Sequence, residues 1–226
     1  LSGLSSNTNY CFWVREICTP GDTSNWTGPF CFKTQCQAIS APYYQDWDNL
    51  VSASKDLGCF GSIEGSSLQS SNFLGVTIQS STFYAPPTAP NYIEFDNSNN
   101  VTDPLIMTSP RTNEMTAGDK RLRFRMREAS TANTAEMMVG TMSNPLDPST
   151  FNPLDTINPD LNWVEYIVNL DAANGYNGTD EYFAFAHDLG GTFDYIFIDE
   201  LRYETIPTCV RPNGVSVSAI TQNSAT

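Results

Sequence analysis

Residues 120–128 read Lys-Arg-Leu-Arg-Phe-Arg-Met-Arg-Glu. Leu122, Phe124 and Met126 take alternate positions, and Arg121, Arg123, Arg125 and Arg127 take the positions between them. A period of two is that of a β-strand, whose successive side chains point to opposite faces. The apolar set is expected to face a core and the four arginines to line the other side. The chain has 11 Lys+Arg against 25 Asp+Glu, so placing four of its eight arginines in one strand needs a cause. One cause is a charge ladder across the sheet, with acids of matching parity in Glu94, Asp96 and Glu165, each pair contributing roughly 0.2–1 kcal/mol. The other is a ligand surface, since arginine forks suit sulfate, carboxylate and sugar hydroxyls. Charge pairing is the first reading and ligand contact the second.

Working outward, short apolar-alternating segments recur at 73–79, 91–96, 104–108, 135–142, 162–170, 181–187 and 193–203. Loops rich in Pro, Asn, Gly, Asp and Ser separate them, and no long stretch has a helical period. The spacing predicts an all-β sandwich. Composition agrees: 40% apolar and 12% aromatic residues allow a real core, and only 16% are charged. The net charge of −14 repels nucleic acid phosphates and anionic membranes, and it suits divalent cations with hard oxygen ligands. No stretch approaches the length of a transmembrane helix. The opening LSGLSSNTNY carries neither a charged leader nor an apolar segment, so any signal is expected upstream, in a longer chain.

Six cysteines without a Cys-x-x-Cys pair, and a single histidine, His187, argue for disulfides in an oxidising compartment rather than for zinc. Residues 10–15 and 30–34 alternate as the arms of a hairpin. Cys11 and Cys31 share the face opposite Tyr10 and Phe12, which suits a bridge. The stretch Gly3-Leu4, Asn7-Thr8-Asn9-Tyr10, Val14-Arg15, Trp26, Gly28-Pro29, Phe32-Lys33-Thr34 resembles the last two strands of a fibronectin type III domain. Residues 207–226 resemble the first strand of another.

The region between resembles a MAM-type jelly roll, or the similar lectin-like jelly rolls of secreted bacterial proteins. The match runs through Tyr44-Gln45-Asp46-Trp47-Asp48, Cys59-Phe60, Asn91 to Asp96, Leu105 to Pro110, Leu122-Arg123-Phe124, Trp163-Val164-Glu165 and the closing Phe193 to Leu201. Glu200 departs from the family's second Asp. The resemblance divides the chain into 1–36, the end of one fibronectin-like module; 37–206, a jelly-roll module; and 207–226, the start of another fibronectin-like module. It implies a Cys36–Cys59 pair, with Cys18 and Cys209 bridged to partners elsewhere. It also implies a structural Ca²⁺ at Asp48 and Asp199, with Asp46 and Asp96 as weaker ligands.

Such mosaics resemble surface adhesins and accessory regions of secreted enzymes in Bacteroidota-type bacteria. The implied function is non-catalytic binding of a glycan or a surface protein outside the cell, with neighbouring domains of the same chain as spacers. The alternatives are a jelly-roll glycan lyase or hydrolase, and a purely structural stalk. Support for nucleophilic catalysis is thin, because no Gly-x-Ser-x-Gly occurs and a lone histidine at a strand end is usually structural. Of Trp13, Trp26, Trp47 and Trp163, most are expected to be structural, Trp47 in the core.

Overall fold

A computed structural model describes residues 2–98 and 102–209. Within them the chain runs through fifteen strands, and the only helical pieces are three single 3-10 turns. The strands are β1 (Asn9–Val14), β2 (Ile17–Thr19), β3 (Asp22–Thr23), β4 (Thr27–Lys33), β5 (Tyr43–Gln45), β6 (Gly61–Glu64), β7 (Gly75–Ser80) and β8 (Asn91–Asp96). There follow β9 (Leu105–Thr108), β10 (Lys120–Glu128), β11 (Met137–Met142), β12 (Phe151–Ile157), β13 (Val164–Leu170), β14 (Tyr182–His187) and β15 (Tyr195–Thr205).

Two antiparallel sheets make an all-β jelly-roll sandwich. The first is ordered β13-β10-β15-β8-β7, with β5 added on β15, and the second β12-β11-β14-β9-β6. The alternation of β10 is realised: Leu122, Phe124 and Met126 are buried, and the arginines between them are half-buried on the outer side. Phe183 and Phe185 of β14 meet this layer from the second sheet. The Phe124 and Phe185 rings sit edge to face at 4.9 Å, and Phe183 stacks on Tyr203 at 5.8 Å. Aromatic pairs in such geometry add about 0.5–1.5 kcal/mol to the burial of their area. Trp47 is fully buried against Phe60, as expected.

The chain needs one irregularity to close the first sheet. On β15, both Ile198 and Leu201 face the core, so the strand gains a residue between them. Its register on β10 shifts there, from Arg125↔Asp199 to Arg123↔Arg202. Glu200 takes up the extra residue with φ 51°, a left-handed value costly for a residue with a Cβ. At this bulge β15 changes neighbour, from β8 through Ile198 to β5 from Leu201 onward.

The N-terminal hairpin pairs β1 with β4. Tyr10↔Phe32 and Phe12↔Phe30 lie on one face, and the Cys11–Cys31 disulfide joins directly opposed residues on the other. The second disulfide, Cys36–Cys59, ties the entry of the sandwich to the segment before β6. Phe12, Phe30 and Phe32 are exposed although they alternate like core residues. Trp13, on the Cys11 face of its strand and so expected away from the core, is exposed; Trp26, expected to be structural, is exposed as well, with the Arg15 guanidinium 4.8 Å over its ring. Cys18 and Cys209 are exposed free thiols. From residue 210 onward, the strand expected in 207–226 lies outside the described residues.

Candidate functional site

The outer face of the first sheet answers the charge question in part. Glu204 of β15 accepts from Arg121 Nε and Nη2 at 2.9 and 2.7 Å, and from Arg123 Nε at 3.2 Å. Arg123 Nη1 reaches Glu165 of β13 at 3.1 Å. Arg125 Nε lies 2.7 Å from Glu200 Oε2, at an angle that makes no hydrogen bond. Arg127 leaves this row: its Nε donates to the Glu128 carbonyl, and its guanidinium lies over the Tyr84 ring at 5.0 Å. Of the three acids expected as partners, only Glu165 serves. Glu94 and Asp96 sit on β8, which β15 separates from β10. The working acids, Glu200 and Glu204, come from β15, and the bulge at Glu200 sets their facing. Burial pushes the Glu204 carboxyl up, but its bonds to Arg121 and Arg123 outweigh this and hold it below the usual range.

The expected cation ligands fall at the bulge. Asp199 is fully buried and accepts from the Thr88 N–H at 3.0 Å, the Thr88 hydroxyl, and the Glu200 N–H at 2.7 Å. Asp48 Oδ1 accepts from the Asn91 N–H at 2.9 Å. One short segment, 88–91, therefore holds both carboxylates. Burial raises the Asp199 carboxyl to about 6, and the negative charge of Asp48 adds to the rise. Asp46 and Asp48 follow β5, outside any strand, and flank Trp47 at φ 57°. Asp46 Oδ1 accepts the Asp48 N–H at 3.2 Å. Asp96 is at the far end of β8 from Asn91, roughly 17 Å along the strand, and does not join them. Among the described residues no three His, Cys, Asp or Glu side chains form a metal cluster.

The outer face of the second sheet was not expected from the sequence. Cross-strand pairs share a face, so the register lays out three rows. One row is Ile63, Ile106, Ala186 and Met138. The next is Gly61, Thr108, Ala184, Gly140 and Pro153. The third is Tyr182, Met142 and Phe151. The middle row has only small or compact side chains, and the flanking rows are mostly large and apolar, with Ala186 and Thr156 completing the first. The flanking side chains close over this floor: Thr108, Gly140 and Ala184 are buried, Ala184 at 0% exposure, so the groove is closed and solvent meets the half-buried Ile63, Met138, Phe151 and Tyr182 as an apolar band across the strands. Close approach fixes the floor: a Cβ on Gly61 would lie 2.8 Å from Thr108 Oγ1, and one on Gly140 2.2 Å from the Asn152 carbonyl oxygen. Ile106, Met142, Ala184 and Ala186 are buried, with half-buried Ile63, Met138, Phe151 and Tyr182 packed around them. The signal was present in 182–187, where phenylalanines alternate with alanines rather than with polar residues.

His187 ends β14 in the core. Its Nδ1 accepts the Leu189 N–H at 2.9 Å, and burial lowers its pKa to about 4, partly opposed by Asp194. It is structural, as expected of a lone histidine at a strand end.

The same fold occurs in the K2 cleaved adhesin domain of Lys-gingipain, with a TM-score of 0.56 at 13% identity over 73% of this chain and 100% of that one. The K1 cleaved adhesin domain of Lys-gingipain from Porphyromonas gingivalis W83 has a TM-score of 0.54 at 16% identity over 74% and 99%. No protein-family profile and no curated protein sequence matches the chain. At these identities the likeness is one of fold.

Proposed function

We propose that this chain carries a non-catalytic binding module of an extracellular, modular surface protein, and that its ligand is an extended glycan strand laid across the apolar band on the outer face of the second sheet. The band is the observation that carries this. Ile63, Met138, Phe151 and Tyr182 are half-buried around a closed floor of small residues, and apolar side chains suit the C–H faces of sugar rings. The floor residues Gly61, Thr108, Ala184, Gly140 and Pro153 bring no carboxyl, thiol or imidazole, which favours binding over hydrolysis. The two disulfides and the fold shared with adhesin domains support an extracellular setting. A surface protein is the alternative partner for the same band. The exposed aromatic face of the N-terminal hairpin supports the view that residues 1–36 end a fibronectin-like module and that 37–206 is the MAM-like one.

A structural Ca²⁺ belongs to this proposal. Asp48, Asp199 and the Thr88 hydroxyl offer hard oxygens, with Asp46 adjacent, and no Lys or Arg lies within ion-pair reach of Asp199 among the described residues. A cation there would offset two like charges held by one loop.

The test strips the band. The domain is titrated with neutral polysaccharides and with purified matrix proteins, alongside the Phe151→Ala and Tyr182→Ala variants, with melting temperature as the folding control. The expected result is saturable binding to a glycan, weakened at least tenfold in both variants while they remain folded, with no product released. Binding unchanged in both folded variants would overturn the band as the site.

A further inference from the structure

We infer that the outer face of the first sheet holds a second binding site, for the oxyanion of an acidic sugar: the carboxylate of a uronate or a sulfate ester. Arg123, Arg125 and Arg202 converge on a polar cavity of about 150 Å³, completed by Glu165, Glu200 and the Phe124 backbone. Three guanidinium groups and two carboxylates line the cavity itself, and Glu204 bonds Arg123 from beside it.

A charge ladder alone does not account for this spot. Arg202 of β15 stands directly opposite Arg123 of β10, and like charges in that position are destabilising. The ladder's own logic would put an acid at position 202. An oxyanion clamp requires instead that the two cations face each other. The donors are also underused. Arg125 lines the cavity with its Nε 2.7 Å from Glu200 Oε2, and among the described residues its guanidinium makes no hydrogen bond. The guanidinium of Arg202 stacks on the Tyr44 ring at 4.4 Å, and among the described residues no acceptor takes a hydrogen bond from it. Arginine stacked on an aromatic ring keeps its N–H edge free for a planar or tetrahedral anion. The volume is on the order of five waters, enough for one carboxylate or sulfate with part of its hydration.

Arg123 also lines a larger neighbouring cavity of about 580 Å³, with Arg121, Ile167, Asn169, Ile206 and Pro207 among its walls. Ile167 is exposed there. The body of the sugar would rest against these apolar walls and the Asn169 amide while its charged group enters the smaller cavity. This site is on the opposite sheet from the apolar band, so it stands or falls independently of the proposal above.

The experiment measures affinity of the whole chain for three probes: oligogalacturonate, a sulfated dextran oligosaccharide and neutral dextran. Each is repeated with the Arg125→Gln and Arg202→Gln variants at low and high salt, with melting temperatures as the folding control. The expected result is binding of at least one acidic probe and not of neutral dextran, falling with salt and weakened about tenfold in each variant, with the melting temperature no lower than wild type in Arg202→Gln and only slightly lower in Arg125→Gln. The acidic probe that binds decides between uronate and sulfate. Equal binding of all three probes, failure of both acidic probes at millimolar concentration, or affinity unaltered in both variants would overturn the inference.

Discussion

Replacing Glu204 with Gln removes the acid that holds two arginines of the ladder. Glu204 takes two N–H groups of Arg121 and is shared with Arg123, at distances of 2.7 to 3.2 Å. The side chains are about one fifth to one quarter exposed, which places these pairs between the surface and buried regimes. A surface pair contributes roughly 0.2–1 kcal/mol, and shared, charge-assisted bonds fall at the upper end, so losing both costs about 1–2 kcal/mol. For a domain of this size that is a fall in Tm of about 3–6 °C. The assay is thermal unfolding of wild type, Glu204→Gln, Arg121→Met and the double variant. The cycle should return a coupling of about 0.5–1 kcal/mol that shrinks as salt is raised. Acid gives an independent check. Glu204 has a native pKa below its unfolded value, so its contribution is present above the unfolded value and is lost as pH falls through the native one. The gap between wild type and Glu204→Gln should therefore narrow as pH falls below the unfolded value of about 4.3 and close once the native carboxyl is protonated. A Glu204→Gln protein melting within a degree of wild type at neutral pH and low salt, with zero coupling, would refute the ladder.

Burial, with the nearby Asp96 charge, raises Glu94 to about 8. The native state then holds a proton that the unfolded state has lost, so stability falls as pH rises from about 4.5 to 8, and Glu94→Gln should gain several degrees on wild type by pH 8. His187 acts with the opposite sign. Its native pKa of about 4 lies below the unfolded value, so stability drains as pH falls from about 6.5 to 4, and His187→Gln should flatten that slope in a pH-melting series. The Cys36–Cys59 bridge spans 23 positions, and the Cys36→Ser, Cys59→Ser double variant should lose about 3 kcal/mol, read as a Tm lower by about 6–12 °C.

The strands that alternate strongly were legible. The readings 91–96, 104–108, 121–127, 162–170 and 181–187 lie within two residues of the observed bounds. β12 was not legible because Pro153 argues against a central strand, and β12 is in fact an edge strand of the second sheet, where proline is tolerated. β5 and β6 are too short to show a period. Cys11–Cys31 followed from a shared strand face. The partners of the arginines did not follow from parity, because the extra residue at Glu200 shifts every later residue of β15 to the other face, and nothing in Ile-Asp-Glu-Leu announces a bulge. Arg202 escaped notice for the same reason. The band on the second sheet was hidden because the middle row draws one residue from each of five strands, and no single stretch of sequence contains it.

Hydrogen–deuterium exchange of the chain with and without a bound neutral glycan tests most directly which surface binds. The account predicts that glycan slows exchange in β9, β11 and β14, whose residues form the floor of the band, and leaves β10 and β15 unchanged. Protection confined to β10 and β15, or to the N-terminal hairpin, would contradict it.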